Sequence, residues 1–514
     1  METTTLPLLN LTSVFVTILT LLLLLFLRSR QHRAANHCPC THPIIGNLIA
    51  FLANRHRFLD WATELLASSP TRTIEVRGPF GLTRGVCTAE PTVVDHLLRA
   101  NFPNYVKGQR FHSVLSDLLG RGIFNADDVL WALQRKIASR EFTTRSLKIF
   151  VSDSVRFETN TRLLPRLAAA ADSGEALDLQ DVLRRFGFDN ICRVAFGIDA
   201  AALSVHPQHQ QEEPFFSAFD EAVEISAARF FNPVPWLWKG KRMLNLGSER
   251  KLRIAIQAID AYAMKIIAAR REQSGDEKQD LLSRFMLALE QDDGELGVLF
   301  QDETEKTRFL RDIVISFILA GKDSTSSALT WLFWLLSMNR HCEGRIISEL
   351  GDESEYDDLK GMNYLHASIS EALRLYPPVP IDSRLVVADD VLPDGTEVRA
   401  GWFADYSAYA MGRMERVWGR DCGEFVPERW LDEKGEFRGV EAVKFPVFHA
   451  GPRTCLGREM AYVQMKSVVS SVLREFEVEP VVVDGRKGMP EYEFSLTLRM
   501  RGGFPVRIKR RVRA

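Results

Sequence analysis

The residues whose types and spacing best suit chemistry lie in one short stretch, FHAGPRTCLG, from Phe448 to Gly457. A single cysteine, Cys455, follows Arg453 and precedes Gly457, and Gly451-Pro452 bends the chain upstream. The run REMAYVQMKSVVSSVLREF comes next and has helical composition, which places Cys455 just ahead of a helix N-terminus. Unpaired backbone N–H groups and the helix dipole favour an anionic sulfur there. Glycines let the backbone approach a flat ligand closely. The chemistry open to such a thiolate is axial ligation of haem iron, where it donates electron density and favours O–O cleavage.

Three further groups have meaningful spacing. Within the apolar stretch Asp302–Asn339, Ala320-Gly321-Lys322-Asp323-Ser324-Thr325 sets small residues beside an acid and two hydroxyls. A glycine inside a helix costs ~1 kcal/mol and needs a reason, here room above a flat cofactor. Glu371 and Arg374, at i and i+3, share a helix face, where an arginine can hold a carboxylate bidentately. Trp131 and Arg135, at i and i+4, also share one. Each pair alone is ordinary.

Taken together and in this order, the groups resemble those of the cytochrome P450 monooxygenases, and the likeness runs from about residue 40 to the C-terminus. Phe448-x-x-Gly451-x-Arg453-x-Cys455-x-Gly457 is similar to the family's haem signature. The resemblance implies haem b ligated by Cys455, with Phe448, Gly451 and Gly457 around it. It implies that Trp131, Arg135, Arg384 and Arg453 reach the propionates. Glu371, Arg374 and Arg429, the last within Phe425-x-Pro427-Glu428-Arg429-Trp430, would form a buried triad that retains fold and haem. Asp323 would relay protons, with Ser324 and Thr325 as the adjoining hydroxyls. Two departures stand out. Ser324 occupies the usual place of Thr and is less stiff at χ1, which opens a route to uncoupled oxygen consumption. The glycine common upstream of Trp131 is missing from Asn125-Ala-Asp-Asp-Val-Leu, so that loop is expected to differ.

Longer strings resemble the plant branch that ω-hydroxylates fatty acids, including members acting on jasmonoyl–amino acid conjugates. They are PIIGNL (43–48), NYVKGQRF (104–111), FGFDNICRVAFG (186–197), ILAGKDSTSSALTWLFWLL (318–336), RLYPPVPIDSR (374–384), ADDVLPDG (388–395) and YAMGRMERVWG (409–419). The implied reaction inserts one atom of O2 into a terminal C–H of an acyl chain. It calls for an apolar channel and a polar grip on the substrate carboxylate. By analogy Phe111, Leu115, Phe124, Phe317 and Val379 to Ile381 line the channel, with core packing as the rival role. The apolar segment Phe230–Trp238, flanked by Lys239, Lys241 and Arg242, suits a membrane interface at the substrate entrance, or else a buried core. No G-x-G-x-x-G follows a strand, so NADPH electrons are expected from a separate membrane-bound NADPH–cytochrome reductase. Lys136, Arg453 and Arg458 are candidates for docking it. Two other readings compete: a haem-thiolate isomerase or dehydratase of lipid hydroperoxides, needing neither O2 nor reductase, and a non-enzymatic haem sensor. The acid–alcohol pair at 323 and 324 argues against the first, which needs no proton relay.

These residues must be positioned by a large scaffold. The chain has 514 residues, a formal net charge of −2, 46% apolar and 26% charged residues. That balance gives no reason to expect a nucleic-acid partner and excludes a disordered or collagen-like chain. Seven cysteines in a chain this long suit a reducing compartment rather than a disulfide scaffold. Cys38-Pro39-Cys40 has no second pair and reads as an inert linker. Leu6–Leu27 is almost wholly apolar and, at ~1.5 Å per residue, spans about 33 Å, enough for a bilayer core. Arg28, Arg30 and Arg33 follow it, which predicts a single-pass anchor with the body in the cytosol. With the resemblance, this implies the endoplasmic reticulum membrane; the sequon at Asn10 lies inside the span. The organisation expected is an anchor at 1–28, a basic, proline-containing hinge at 29–47 and one catalytic domain at 48–514. That domain reads as mainly α with a minor β portion. Strands are expected at Thr73–Val76, Gly85–Thr88, Arg384–Val387, Glu397–Arg399, Phe494–Arg499 and Pro505–Lys509. Helices are expected at Val93–Arg99, Leu130–Glu141, Ser146–Leu167, Leu177–Ala195, Glu249–Ala269, Asp302–Asn339 and through Glu371.

Overall fold

A computed structural model describes residues 20, 37–39, 41–42, 44–143, 146, 149–204, 213–232, 234–272, 280–291, 294–350, 356–481 and 490–511. The expected anchor apart from Thr20, the hinge through Asn36, Cys40, Pro43, Pro233, most of the polar loop at 271–281 and the end of the basic tail lie outside the described residues. Among the described residues no helix is long and apolar enough to cross a membrane.

The architecture is mainly helical. Eight helices matter for the site: α1 (Gly108–Leu119), α2 (Asp128–Ala138), α3 (Leu179–Phe196), α4 (Glu213–Phe230), α5 (Ser248–Glu272), α6, α7 (Asn363–Leu375) and α8 (Arg458–Glu475). The long α6 runs as Glu303–Ile318, a π-helical turn Leu319–Asp323, and Ser324–Met338. Its start is set by Asp302, whose carboxylate accepts from Glu305 N at 3.3 Å, with Glu303 and Glu305 in the first turn. From Phe309 to Leu336 nearly every residue is buried, as a helix apolar all round must be. α3 begins at Asp178, which accepts from Gln180 N at 2.9 Å, and stops at the left-handed Gly197.

Five strands form the main sheet: β1 (Thr73–Arg77), β2 (Arg84–Thr88), β3 (Tyr105–Val106), β4 (Asp382–Val386) and β5 (Phe403–Tyr406), in the order β1-β2-β5-β4-β3. Only β2 and β5 run parallel, with Gly85 opposite Phe403; Ser383 of β4 faces Asp405. One apolar core joins the second half of α6 to α7 and α8. Another gathers α1, α3, α4, α5 and the first half of α6, and a third underlies the sheet.

Several local expectations differ. Phe494–Arg499 is two strands, Tyr492–Phe494 and Leu498–Met500, joined by a turn that reverses the chain. Of the expected helix at 146–167, the described stretch 150–167 is no single regular helix but a succession of π-helical and α-helical turns. Leu177–Asp178 is a short strand pairing Pro505–Arg510 before α3 starts. Helices α1 and α4 were not foreseen, because glycine, histidine and paired phenylalanines interrupt their apolar rhythm.

Candidate active site

One cavity of about 570 Å³ lies between α6, the sheet and the stretch that precedes α8. Cys455 is on its wall, with Phe448, Arg453 and Gly457, and with Trp131 and Arg135 of α2. Phe111, Leu115, Phe124, Phe317, Val379 and Ile381 are there too, and so are Ser324 and Thr325. Arg384 and Gly451 stand behind the wall.

The loop ahead of Cys455 is held by its own backbone. Cys455 N donates to Phe448 O at 2.8 Å and Thr454 N to Gly451 O at 3.0 Å. Gly451 has φ +66, and a Cβ there would sit 2.0 Å from Leu98 O; no other residue fits. His449 also has a positive φ, +60, and its ring nitrogen Nε2 lies 2.9 Å from an Asp382 carboxylate oxygen. Cys455 is deep in the fold, yet its surface opens into the cavity. Burial pushes its thiol up from the ordinary value; the Gly457 N–H, Arg135 and Arg458 act against that but do not overcome it. A metal bound there would act the other way, since a coordinating thiol loses its proton.

The cationic side is a network. Arg135 donates to Thr454 O at 2.6 Å. Arg453 donates to Asp127 at 2.6 Å and to Ala126 O at 2.9 Å, and stacks 4.5 Å over Trp131. Arg384 holds Asp382 at 2.5 Å, and Lys107 holds the same carboxylate at 2.7 Å. Burial, ahead of its attraction to Asp382, pulls Lys107 down to about 7. Arg384 keeps Nε and Nη2, and Arg453 keeps Nε, buried without a hydrogen-bond acceptor. Such orphaned donors are costly and call for anionic partners. Of the two cysteines on the wall, Cys87 and Cys455, only Cys455 sits in the glycine-lined loop beside Arg135 and Arg453; with apolar walls and unsatisfied guanidinium donors this makes a donor set that fits haem, with sulfur for the iron and arginines for the propionates.

Lys107, Asp127, Asp382 and His449 were not singled out from sequence, although each lies in one of the quoted stretches; only the fold joins them. Asp127 accepts from the backbone N–H groups of Lys107 and Gly108 at 3.0 and 2.8 Å, so it ties α1 to the Cys455 loop. The next residue explains the absent glycine. Asp128 has φ +51, so an aspartate takes the left-handed turn itself. Arg453 has a side chain only 7% accessible and paired with Asp127, so it cannot sit on a docking surface. Lys136 and Arg458 are exposed.

Glu371, Arg374 and Arg429 come together in the interior. Arg374 Nε and Nη2 grip both Glu371 oxygens at 2.7 Å, and Arg429 Nε adds 3.0 Å. Trp430 Nε1 and Val426 N each donate to Glu371 at 2.9 Å. Arg374 also donates to the carbonyls of Gly412, Cys422 and Glu424.

On α6 the π-helical turn shifts the register. Ser324 Oγ–H donates to Ala320 O at 2.6 Å and, with Thr325, faces the cavity. Asp323 does not. Its carboxylate is fully buried off the cavity wall, receiving Lys322 Nζ at 2.6 Å and Arg499 Nη2 at 3.3 Å, with Arg184 Nε 4.0 Å away. Burial raises it, but Lys322, Arg499 and Arg184 together hold it well below the usual carboxylate range. Gly321 and Ala320 line the cavity, and Gly321 has a second role: a Cβ there would meet Ile191 Cβ at 2.6 Å, so the glycine also serves the contact of α6 with α3. Along Phe230–Trp238, Trp236 and Leu237 are exposed, whereas Trp238 is buried under Arg229 at 4.6 Å and belongs to the core. Phe231 packs on Phe51 and Phe58, and all three line the cavity.

The profile of the family described as Cytochrome P450 matches residues 37–501. The chain belongs to the cytochrome P450 family. It is 46% identical over 487 residues to cytochrome P450 94A2 of Vicia sativa, covering 92% of this chain and 91% of that one. It is 46% identical over 488 residues to cytochrome P450 94B1 of Arabidopsis thaliana (92% and 91% covered) and 43% identical over 507 to cytochrome P450 94C1 of the same plant (97% of each). Membership makes the chain a haem- and O2-dependent monooxygenase.

Proposed function

We propose that this cytochrome P450 hydroxylates the terminal carbon of an acyl chain that carries a carboxylate, a fatty acid or a jasmonoyl–amino acid conjugate. The observation that carries the reading is the cavity itself: a wall rich in Phe, Leu, Ile and Val, with Cys455 on it and cations at its margins. Likeness to the 94 group of plant cytochromes P450 supports it. Haem, when bound with Cys455 as its ligand, supplies O2 activation and transfer of one oxygen atom to a C–H bond. The other oxygen leaves as water, which takes two electrons and two protons. This chain's residues do the rest. Trp131, Arg135, Arg384 and Arg453 hold the propionates, and Phe448, Gly451 and Gly457 shape the backbone beside the sulfur. Phe111, Leu115, Phe124, Phe317, Val379 and Ile381 exclude water and aim the chain end. Ser324 and Thr325 hold a proton-carrying water, and Asp323 passes protons inward once its carboxylate leaves Lys322. The Glu371–Arg374–Arg429 cluster braces the fold.

NADPH electrons arrive from a separate reductase docking near Lys136 and Arg458. Residues 1–28 anchor the chain in the endoplasmic reticulum membrane, and the domain at 48–514 faces the cytosol. The test is incubation of membranes carrying the full chain with reductase, NADPH, a fatty-acid series and jasmonoyl–isoleucine. An ω-hydroxylated product that requires both NADPH and reductase supports the reading. Product from lipid hydroperoxides without either would replace it with the isomerase reading.

A further inference from the structure

Five cationic side chains other than histidine line the cavity, and four are already committed. Arg77 holds Glu75 at 2.7 and 3.1 Å, Lys107 holds Asp382 at 2.7 Å and Arg453 holds Asp127 at 2.6 Å. Arg135 donates to Thr454 O next to Cys455. Arg110, on α1, is different. Among the described residues its only carboxylate within ion-pair reach is Asp405, at 4.0 Å, and its hydrogen bond to Ser383 Oγ is long, 3.4 Å. Its guanidinium lies 4.3 Å over the Phe403 ring, and 29% of the side chain remains accessible.

The surroundings of Arg110 are built for an anion. Ser383 and Asp405 face each other across β4 and β5, and Phe403 shares the Asp405 face of β5. Asp405 meets Arg110 only at 4.0 Å, while its Oδ1 accepts from Ser383 Oγ at 2.6 Å. Burial pushes the Asp405 carboxyl up to about 6, against Arg110 and Ser383, so a second carboxylate arriving here can be met by a protonated Asp405 that donates to it. A desolvated, loosely paired guanidinium beside apolar walls gains more from a bidentate carboxylate than from water.

We propose that Arg110, flanked by Ser383 and Asp405, is the binding site for the substrate's carboxylate and so selects acids over neutral lipids of the same length. This rests on the proposal of an acyl carboxylate substrate and gives its polar end a place. The acyl chain then runs from Arg110 along Phe111 and Leu115 of the same helix toward Cys455.

The test uses the full haem-loaded chain in membranes with reductase. Binding and KM are measured for a long-chain fatty acid, its methyl ester and the primary alcohol of equal length, in the wild type, Arg110→Gln, Arg110→Lys and Asp405→Asn. Arg110→Gln is expected to weaken acid binding by about tenfold or more while ester and alcohol stay within about twofold. Arg110→Lys should recover only part of the loss, because it restores the charge but not the two-pronged grip, and Asp405→Asn should tighten the acid. Equal effects of Arg110→Gln on acid and ester, or no effect, overturn the assignment while leaving the proposed reaction standing. A wild type that binds neither acid nor ester overturns both.

Discussion

Glu371 offers the most quantitative test of how the fold is braced. It is fully buried and accepts five hydrogen bonds: two from Arg374, one each from Arg429, Trp430 and Val426. Replacement by Gln keeps the volume but removes the charge facing Arg374, which is itself about 1% exposed and otherwise hydrogen-bonds only neutral carbonyls. Breaking a buried pair from one side costs about 3–5 kcal/mol, because the remaining charge is stranded. That is a large share of the ~5–15 kcal/mol that holds a protein folded. Glu371→Gln and Arg374→Met should each lower stability by that amount in urea unfolding, and haem should be lost at lower urea than in the wild type. The double variant should cost clearly less than the two losses added, since each single change removes the same pair contact, although Arg429 still faces Glu371 in Arg374→Met. Additive losses, or singles within about 1 kcal/mol of the wild type, would refute the reasoning.

Other outcomes follow from single positions. Asp128 carries φ +51, so Asp128→Gly should be neutral or stabilising in urea unfolding and Asp128→Val should cost about 1–2 kcal/mol. Gly321→Ala should destabilise by about 1–3 kcal/mol although Ala is the better helix former, because its Cβ would strike Ile191; Gly344→Ala, on a helix with open space, should stabilise by up to ~1 kcal/mol. His366 stacks 3.9 Å from Phe437 and 4.2 Å from Tyr462, and burial, then Lys466 and Arg458, pull it down to about 3. The unfolded chain therefore binds one more proton between about pH 6.5 and 3. Stability should fall with acid there by up to ~1.4 kcal/mol per pH unit from this group, and His366→Phe should remove that share of the slope.

The motif around Cys455 was legible because ligation, backbone clearance and charge all fall within one local stretch. So were the long α6 and the Glu371–Arg374 pair, whose spacing on one helix face survives without tertiary knowledge; Arg429 came from the resemblance alone. What stayed hidden depends on distant segments meeting. Asp382 lies far in sequence from Lys107, yet the pairing of β4 with β3 sets them in contact. Asp323 reads as a free acid beside a hydroxyl until the fold brings Lys322, Arg184 and Arg499 around it. Gly321 borders the cavity, but its contact with Ile191 is a fact of helix packing that the sequence does not show. Trp238 looks like a membrane residue by composition and is core by position. The turn between Tyr492–Phe494 and Leu498–Met500 escaped because its residues are as strand-like as their neighbours.

The whole account depends on sulfur from Cys455 binding the iron. The direct measurement is the absorption spectrum of the reduced, carbon monoxide-treated protein, wild type against Cys455→Ala. The account predicts a strongly red-shifted Soret band in the wild type that vanishes in the variant. An unshifted band in the wild type, or a shifted band that survives Cys455→Ala, would contradict it.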